Sequence, residues 1–433
     1  MNFTNIRQLL LDQAVEAQEC QKSNILVDRE AKSYLLEMVN SKLITVVTGI
    51  RRSGKSTMAL QLLSGKKFLY FNFDDEILGQ AAPGDLNKIL ESGLSINPGA
   101  EYLFFDEIQN VEGWELFINR LQRRKYKIII TGSNSRLLSM ELSSHLTGRH
   151  LTLALFPFSF FEFLKFKKVE LPTKNVTTEN IALARNYLSQ YFQQGGFPQI
   201  TQYSFQDRIS RQYLKELFDK IVTRDIVQRR QIKNIKSMRE LALLAVSLFS
   251  SQFTYQSLRK ACSFKSINTV KNYLEYLQES YLIFILEPYS TKIKERISLP
   301  KKLYVVDTAL AEAIIPKTTE DFGRKLENII CVELRRRDCE IYYIKSPNYE
   351  VDFVIREGNK IVELIQVVWS LDNSATKQRE VKALLRAADE FQVKKLTIVC
   401  GSDEGDEGEE VIDGKRIKII SAWRWLLDKK IDT

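Results

Sequence analysis

The residues Gly49-Ile-Arg-Arg-Ser53-Gly54-Lys55-Ser56-Thr57 have GxxxxGK[ST] spacing, a pattern whose chemistry is phosphate binding. Its glycines let backbone N–H groups turn inward around an anion, and a helix opening at Lys55 would add its N-terminal dipole. Lys55 is then placed to contact β- and γ-phosphates, and the Ser56 hydroxyl to help hold Mg²⁺. Arg51 and Arg52 lie inside the loop, where they either contact phosphate or brace it. Such a loop needs a carboxylate at the end of another buried strand, and Tyr102-Leu-Phe-Phe-Asp106-Glu107 offers two. Asp106 takes the metal side, and Glu107 is placed to orient and deprotonate an attacking water.

The elements that must position these groups are legible around them. Leu43–Gly49 reads as a short buried strand and the run after Lys55 as a helix, the strand–loop–helix context the motif requires. Lys127-Ile-Ile-Ile-Thr131-Gly-Ser133-Asn134 reads as another strand, whose end would lie beside the metal strand in a parallel sheet. Ser133 or Asn134 could then hydrogen-bond the water or the γ-phosphate, a simple turn being the alternative for each. Strands at Lys67–Phe73 and Leu151–Leu155 complete a five-stranded α/β layer, with one strand between the phosphate loop and Asp106-Glu107.

GIRRSGKST, YLFFDEIQ, TGSNSRLL, LTGRH at 146–150 followed by FPFSFFEFL, and QGGFP at 194–198 together resemble the bacterial and archaeal AAA-type ATPases fused to a C-terminal domain of unknown function. The resemblance covers nearly the whole chain. It implies a P-loop NTPase three-layer parallel sheet that binds ATP with Mg²⁺ and hydrolyses it, with no cellular role attached. Arg149, following a glycine before the last core strand, is the candidate for a charge completing the γ-phosphate site, in cis or from a neighbouring copy in a homo-oligomer; a surface salt bridge is the competing reading.

Beyond residue 168 the pattern turns helical through 169–235, as a lid or connector. Residues 208–239 hold ten Lys/Arg against three Asp/Glu, a net of +7. Residues 236–310 have a winged-helix rhythm: Thr254 and Ser266 cap short helices, and Val270, Tyr273, Leu274 and Leu277 recur at helical spacing. Asn268, Thr269, Lys271, Asn272 and Glu275 form the opposite face, the side-chain types that meet a DNA groove. A loop with Lys292, Lys294, Arg296, Lys301 and Lys302 would be the wing, though winged helices also dock proteins.

Residues 318–433 resemble the α/β restriction-endonuclease-like core, with Asp352 and Gln366 in the first two metal-site places and Glu333 contributing from the preceding helix. The lysine place of that pattern holds Val368, which cannot activate water, so a degenerate core retained for binding or architecture is expected ahead of a nuclease. The acidic run 403–410 reads as a solvated connector.

Composition bounds the rest. With 433 residues, 44% hydrophobic and 27% charged, the chain has the balance of a multidomain globular protein. Its 63 Lys/Arg against 54 Asp/Glu leave +9, which the 208–239 cluster (+7) and the 292–302 loop (+4) more than account for, so an anionic partner is to be sought there. Five scattered cysteines without a CxxC pair read as free thiols of a reducing compartment. The N-terminus lacks a secretory pattern, and Leu151–Leu164 is too short to span a bilayer. A cytoplasmic protein without a membrane partner is the expectation.

Overall fold

The structure, a computed structural model, describes residues 3–23, 27–134, 148–172, 175–203, 207–315, 321–402 and 407–428. Parts of TGSNSRLL, LTGRH and the acidic run 403–410 lie outside these. The chain divides into two compact units, Met1–Pro157 with Glu279–Tyr281, and Phe158–Gln278 with Leu282–Thr433. Among the described residues no helix is long and apolar enough to cross a membrane.

The first unit is built on five parallel strands, β1 (Ile44–Thr48), β2 (Phe68–Asn72), β3 (Tyr102–Asp106), β4 (Lys127–Gly132) and β5 (His150–Ala154), in the order β2-β3-β4-β1-β5. Successive strand side chains point to opposite faces, and these strands are apolar on both. Ile44, Val46, Leu103, Phe105, Ile128 and Ile130 join one core with residues of the helices Leu86–Ile96 and Trp114–Arg123. Val47, Tyr102, Phe104 and Ile129 join a second core with the helices Lys32–Asn40 and Lys55–Leu62. Three layers follow from that two-sided pattern. One strand, β4, separates β1 from β3, as the motif order predicts.

The second unit contains a helix, Asp207–Lys220, that runs on into a π-helical segment, Ile221–Gln228. Next come the helices Ile235–Ser247, Tyr255–Ala261 and Ile267–Glu279 and a three-stranded antiparallel sheet, β6 (Ser251–Phe253), β7 (Ile283–Leu286) and β8 (Lys301–Val305), in the order β6-β8-β7. Thr254 caps its helix by accepting from Ser257 N at 3.0 Å, and Ser266 accepts from Asn268 N at 3.1 Å. The basic loop differs from expectation. It contains a short helix, Ile293–Ser298, and Lys301 and Lys302 are buried strand residues, 5% and 4% exposed, because β8 is the central strand of its sheet.

A mixed six-stranded sheet follows, β13-β14-β12-β11-β10-β9, from β9 (Glu340–Lys345), β10 (Glu350–Glu357), β11 (Lys360–Val368), β12 (Lys395–Cys400), β13 (Gly408–Ile412) and β14 (Lys415–Ser421). The helices Phe322–Arg336 and Ser374–Phe391 give its first part a helix–strand–strand–strand–helix–strand order. The QGGFP segment is explained within this unit: Gly196 N donates to Asp307 Oδ2 at 2.7 Å, and a Cβ on Gly196 would lie 2.3 Å from the Phe158 carbonyl oxygen.

In the first unit Gly49 has the same constraint more sharply. At φ +144° it leaves β1 so close to β5 that an added Cβ would sit 2.1 Å from the Leu155 carbonyl oxygen. Gly49→Ala should therefore cost roughly 1–3 kcal/mol and lower the thermal unfolding midpoint. Gly84→Ala, whose methyl meets nothing within 4 Å, serves as the control. Equal midpoints for the two variants in differential scanning calorimetry would refute this account of the turn.

Candidate functional site

The phosphate-loop residues lie between β1 and the helix Lys55–Leu62, with Gly54 left-handed at φ +93° and Arg52 at φ +69°. Lys55, 5% exposed, donates from Nζ to the carbonyl oxygens of Gly49 and Ile50, both at 3.0 Å, so its ammonium folds over the loop. Ser53 Oγ is buried and among the described residues has no hydrogen-bond partner. A buried hydroxyl left unsatisfied costs free energy that an anionic acceptor would recover. Arg51 is 3.5 Å from the Asp74 carboxylate, which favours the bracing role, while Arg52 is exposed. Burial pushes up the pKa of the Cys20 thiol in the N-terminal helix Phe3–Lys22, and the Thr57 hydroxyl acts in the opposite sense.

Asp106 ends β3 and is 5% exposed. Three hydroxyls converge on it: Ser56 Oγ donates to Oδ1 at 2.9 Å, Tyr70 OH donates to Oδ2 at 3.0 Å, and Thr131 Oγ1 donates to Oδ1. Burial, and after it the Asp106 carboxylate, push the Tyr70 phenol far above its ordinary pKa, so it stays a donor. Glu107 follows at φ +55°, a left-handed conformation that turns it off the strand direction. Its Oε2 accepts from Gln109 Nε2, and Ser133 Oγ donates to it at 3.4 Å. Asn134, 3% exposed, lies just beyond β4, where the register pairs Asp106 with Thr131. Lys55, Ser56, Asp106, Glu107, Ser133 and Asn134 thus lie at or just past the C-terminal ends of neighbouring strands. This donor set suits a phosphate with a hard divalent cation held between Ser56 and Asp106.

Arg149 lies elsewhere. It precedes β5, whose first residue pairs with Ile44, and Ile44 N donates to the Arg149 carbonyl oxygen at 3.0 Å. That is the N-terminal edge of the parallel sheet, roughly 17 Å from the start of the phosphate loop at ~3.3 Å per residue along β1. Its guanidinium donates to Asn119 Oδ1 at 3.2 Å. A contact with the γ-phosphate in cis is therefore corrected, because strand direction carries the residue to the opposite edge.

Two residues that sequence reading missed support the loop from behind. Arg29, 6% exposed, donates to the Ser53 carbonyl oxygen at 2.8 Å and to that of Phe156 at 2.6 Å, gripping the loop and the segment after β5 together. Gln13 pairs through its amide with the backbone N–H and carbonyl of Asn72 at 3.0 and 3.2 Å, pinning the N-terminal helix to the end of β2. Neither belongs to a motif, and only their burial reveals them.

In the second unit, Asp352 sits at a β-bulge in β10. Its Oδ1 accepts from Lys302 Nζ at 2.9 Å and its Oδ2 from Val367 N at 3.1 Å. Lys302 Nζ also lies 3.0 Å from Glu327 Oε1 and 2.9 Å from Glu350 Oε1. Gln366 accepts from Asp352 N at 3.2 Å and donates to Glu380. Glu333 is bonded to Arg336 and Arg337 at 3.0 and 2.9 Å; the helix carboxylate in the Asp352 group is Glu327. No group of His, Cys, Asp and Glu among the described residues has the spacing of a metal site.

Of the groove-facing candidates, Asn268 and Lys271 are exposed, with Lys271 Nζ 5.3 Å from the Tyr255 ring centroid. Lys292 and Lys294 are exposed, Lys292 pairs with Glu295 at 3.0 Å, and Arg296 pairs with Glu287 at 3.0 Å. In the connector, Arg239 pairs with Asp219 at 2.8 Å, while Arg229 and Arg230 are partly buried.

Residues 41–164 match an AAA domain and residues 185–321 a domain of unknown function. An uncharacterized protein of Methanocaldococcus jannaschii is 37% identical over 438 residues, covering 96% of each chain. An uncharacterized protein of Haemophilus influenzae is 28% identical over 422 residues, covering 94% of this chain and 100% of that one. Among solved structures, a Walker-type ATPase of Pyrococcus abyssi covers 67% of this chain and 96% of its own at 17% identity and a TM-score of 0.45. The chain thus belongs to the family of the M. jannaschii protein, and within it carries an AAA domain of the P-loop ATPase type followed by a domain of unknown function.

Proposed function

We propose that this protein is a Mg²⁺-dependent ATPase whose nucleotide state governs how its second unit engages DNA. The observation that carries the enzymatic part is the junction of the Lys55–Leu62 helix with β3, where Ser56 Oγ and Asp106 Oδ1 are 2.9 Å apart beside Glu107. Mg²⁺, when bound, supplies charge neutralisation for the phosphates and would be held by Ser56 directly and by Asp106 through water. Lys55 exchanges its carbonyl contacts for phosphate oxygens, and the Ser53 hydroxyl gains an acceptor. Glu107 takes a proton from water positioned with the help of Ser133 and Asn134. In steady-state phosphate release, Lys55→Ala should lose turnover about 100- to 1000-fold through the lost charge stabilisation. Glu107→Gln should lose about 100- to 10,000-fold while still binding ATP. Chelation of Mg²⁺ should abolish release in the unmutated protein. Equal release from all three proteins would remove the enzyme from the reading.

The DNA part rests on charge and topology. The helices Ile235–Ser247, Tyr255–Ala261 and Ile267–Glu279 with the β6-β8-β7 sheet have the element order of a winged helix, with Asn268 and Lys271 exposed on the third helix and Lys292 and Lys294 exposed in the wing loop. Replacing Lys271, Lys292 and Lys294 together by Ala should reduce the magnitude of the slope of log K against log salt by up to about 3, each phosphate contact contributing about 0.9. An unchanged slope in fluorescence-anisotropy titrations with duplex DNA would remove these three as phosphate contacts.

Coupling has a physical candidate in Glu279–Tyr281, which belong to the first unit although the chain on either side belongs to the second. Thr48, the last residue before the phosphate loop, has its Oγ1 2.6 Å from the Tyr281 hydroxyl. Tyr281→Phe should keep basal ATP turnover and lose its stimulation by DNA; stimulation that persists at the unmutated level argues against this route.

A second reading, a slow ATP-dependent switch recruiting proteins, draws on Ile293 and Ile297, 72% and 66% exposed on successive turns of the wing helix. ATP turnover measured with and without DNA separates the two. Homo-oligomerisation, with Arg149 acting across a subunit boundary, belongs to the same set of proposals, and light scattering in the presence of ATP tests it.

A further inference from the structure

The lysine of β8 lies among three carboxylates of the C-terminal module. Lys302 Nζ lies 2.9 Å from Asp352 Oδ1, 3.0 Å from Glu327 Oε1 and 2.9 Å from Glu350 Oε1, so it is at the centre of the carboxylate group and not at its rim. The carboxylates come from two elements, Glu327 from the helix Phe322–Arg336 and Glu350 and Asp352 from β10. The lysine side chain is 5% exposed, with Asp352 and Glu327 at 13% and 14%. Burial alone would drive an ammonium toward its neutral form; here Asp352, Glu327 and Glu350 outweigh it, and the Lys302 pKa stands well above its ordinary value. The carboxylates accept further hydrogen bonds as well. Tyr304 OH donates to Glu327 at 2.7 Å, Val367 N to Asp352 at 3.1 Å, and Gln252 and Lys345 to Glu350 at 2.9 and 2.7 Å.

From this geometry we propose that Glu327, Glu350 and Asp352 form a cation site whose resident cation is the chain's own Lys302, which seals the module against divalent metals and metal-dependent cleavage. The distances support an ammonium in preference to a metal. Oxygens ligate Mg²⁺ at about 2.0–2.1 Å, so the three carboxylates stand nearly an ångström too far apart for it and at hydrogen-bond distance for an ammonium. A lysine that activated water beside a bound metal would need the centre of the cluster free for that metal, and Lys302 fills it. Gln366 does not compensate, because its amide is bonded to Asp352 N, the Glu350 carbonyl oxygen and Glu380. Within the second unit the ammonium has a positive role: it ties the central strand of the three-stranded sheet to the first helix and to β10 of the C-terminal module.

The test is Mn²⁺ binding to the nucleotide-free full-length protein, followed by electron paramagnetic resonance. The unmutated protein and Asp352→Asn should bind Mn²⁺ identically. Lys302→Met, which removes the ammonium while keeping the length of the side chain, should gain one site at least about 10-fold tighter than any in the unmutated protein. That site should vanish when Asp352→Asn is added, and Mn²⁺ should raise the melting temperature of Lys302→Met. Because Lys302→Met leaves three carboxylates without their cation and could fail to fold, Lys302→Met/Glu327→Gln, which also removes one of the carboxylates, is measured alongside it and should gain the same Asp352-dependent site. Two results overturn the proposal: folded lysine variants that bind no more Mn²⁺ than the unmutated protein, or Mn²⁺ binding or plasmid nicking by the unmutated protein that Asp352→Asn removes. The unmutated protein and Asp352→Asn provide the second of these results even if neither lysine variant folds.

Discussion

The first unit depends on one buried carboxylate. Asp106 accepts from Tyr70 on the strand at one side, from Thr131 on the strand at the other, and from Ser56 on the helix that follows the phosphate loop. Burying a carboxylate without donors is expensive, so these hydroxyls and the strand order must be satisfied together. Shifting β3 by one residue would point Asp106 to the other face of the sheet and strand all three donors. The arrangement that holds the sheet in register is thus the same arrangement that presents a hydroxyl and a carboxylate to a cation.

That economy explains why the first unit was so legible. A phosphate loop, an acidic strand end and a polar strand end each announce themselves locally, and parallel pairing brings them to one edge. Arg149 shows where local reading stops. Its neighbours in sequence suit a finger, but a residue that precedes a parallel strand lies at the edge opposite the residues that follow one, and no motif records that. Arg29 was invisible for a related reason: it acts on backbone carbonyls of Ser53 and Phe156, which carry no residue signature.

The C-terminal module was legible in element order and not in its cluster. Glu333, the helix carboxylate expected from sequence, shares its helix with Glu327. Glu327 lies six residues earlier, about 120° around the axis at 100° per residue, and that rotation turns it toward Lys302 while Glu333 meets Arg336 and Arg337. Lys302 itself lies before the module begins in sequence, so counting spacings inside the module finds only Val368 in the lysine place. Reading Lys301 and Lys302 as wing cations failed for the same reason, since composition places charge along the chain and burial decides whether solvent or a partner meets it.

Three lysines show how environment divides one side chain into different roles. Lys292 is exposed and pairs with exposed Glu295, a weak interaction that salt screens, so a polyanion can compete for it. Lys55 is buried, and its contacts with Gly49 and Ile50 are to neutral carbonyls; a phosphate offers the same ammonium an anionic acceptor, so that both partners of the bond are charged, and these contacts yield to ligand. Lys302 is as deeply buried, but its partners are carboxylates. Removing the cation from such a group leaves carboxylates side by side without their counter-charge, a cost that an ordinary ligand contact does not return. Burial alone therefore does not distinguish a lysine that binds ligand from one that excludes it; the charge of the oxygens around it does.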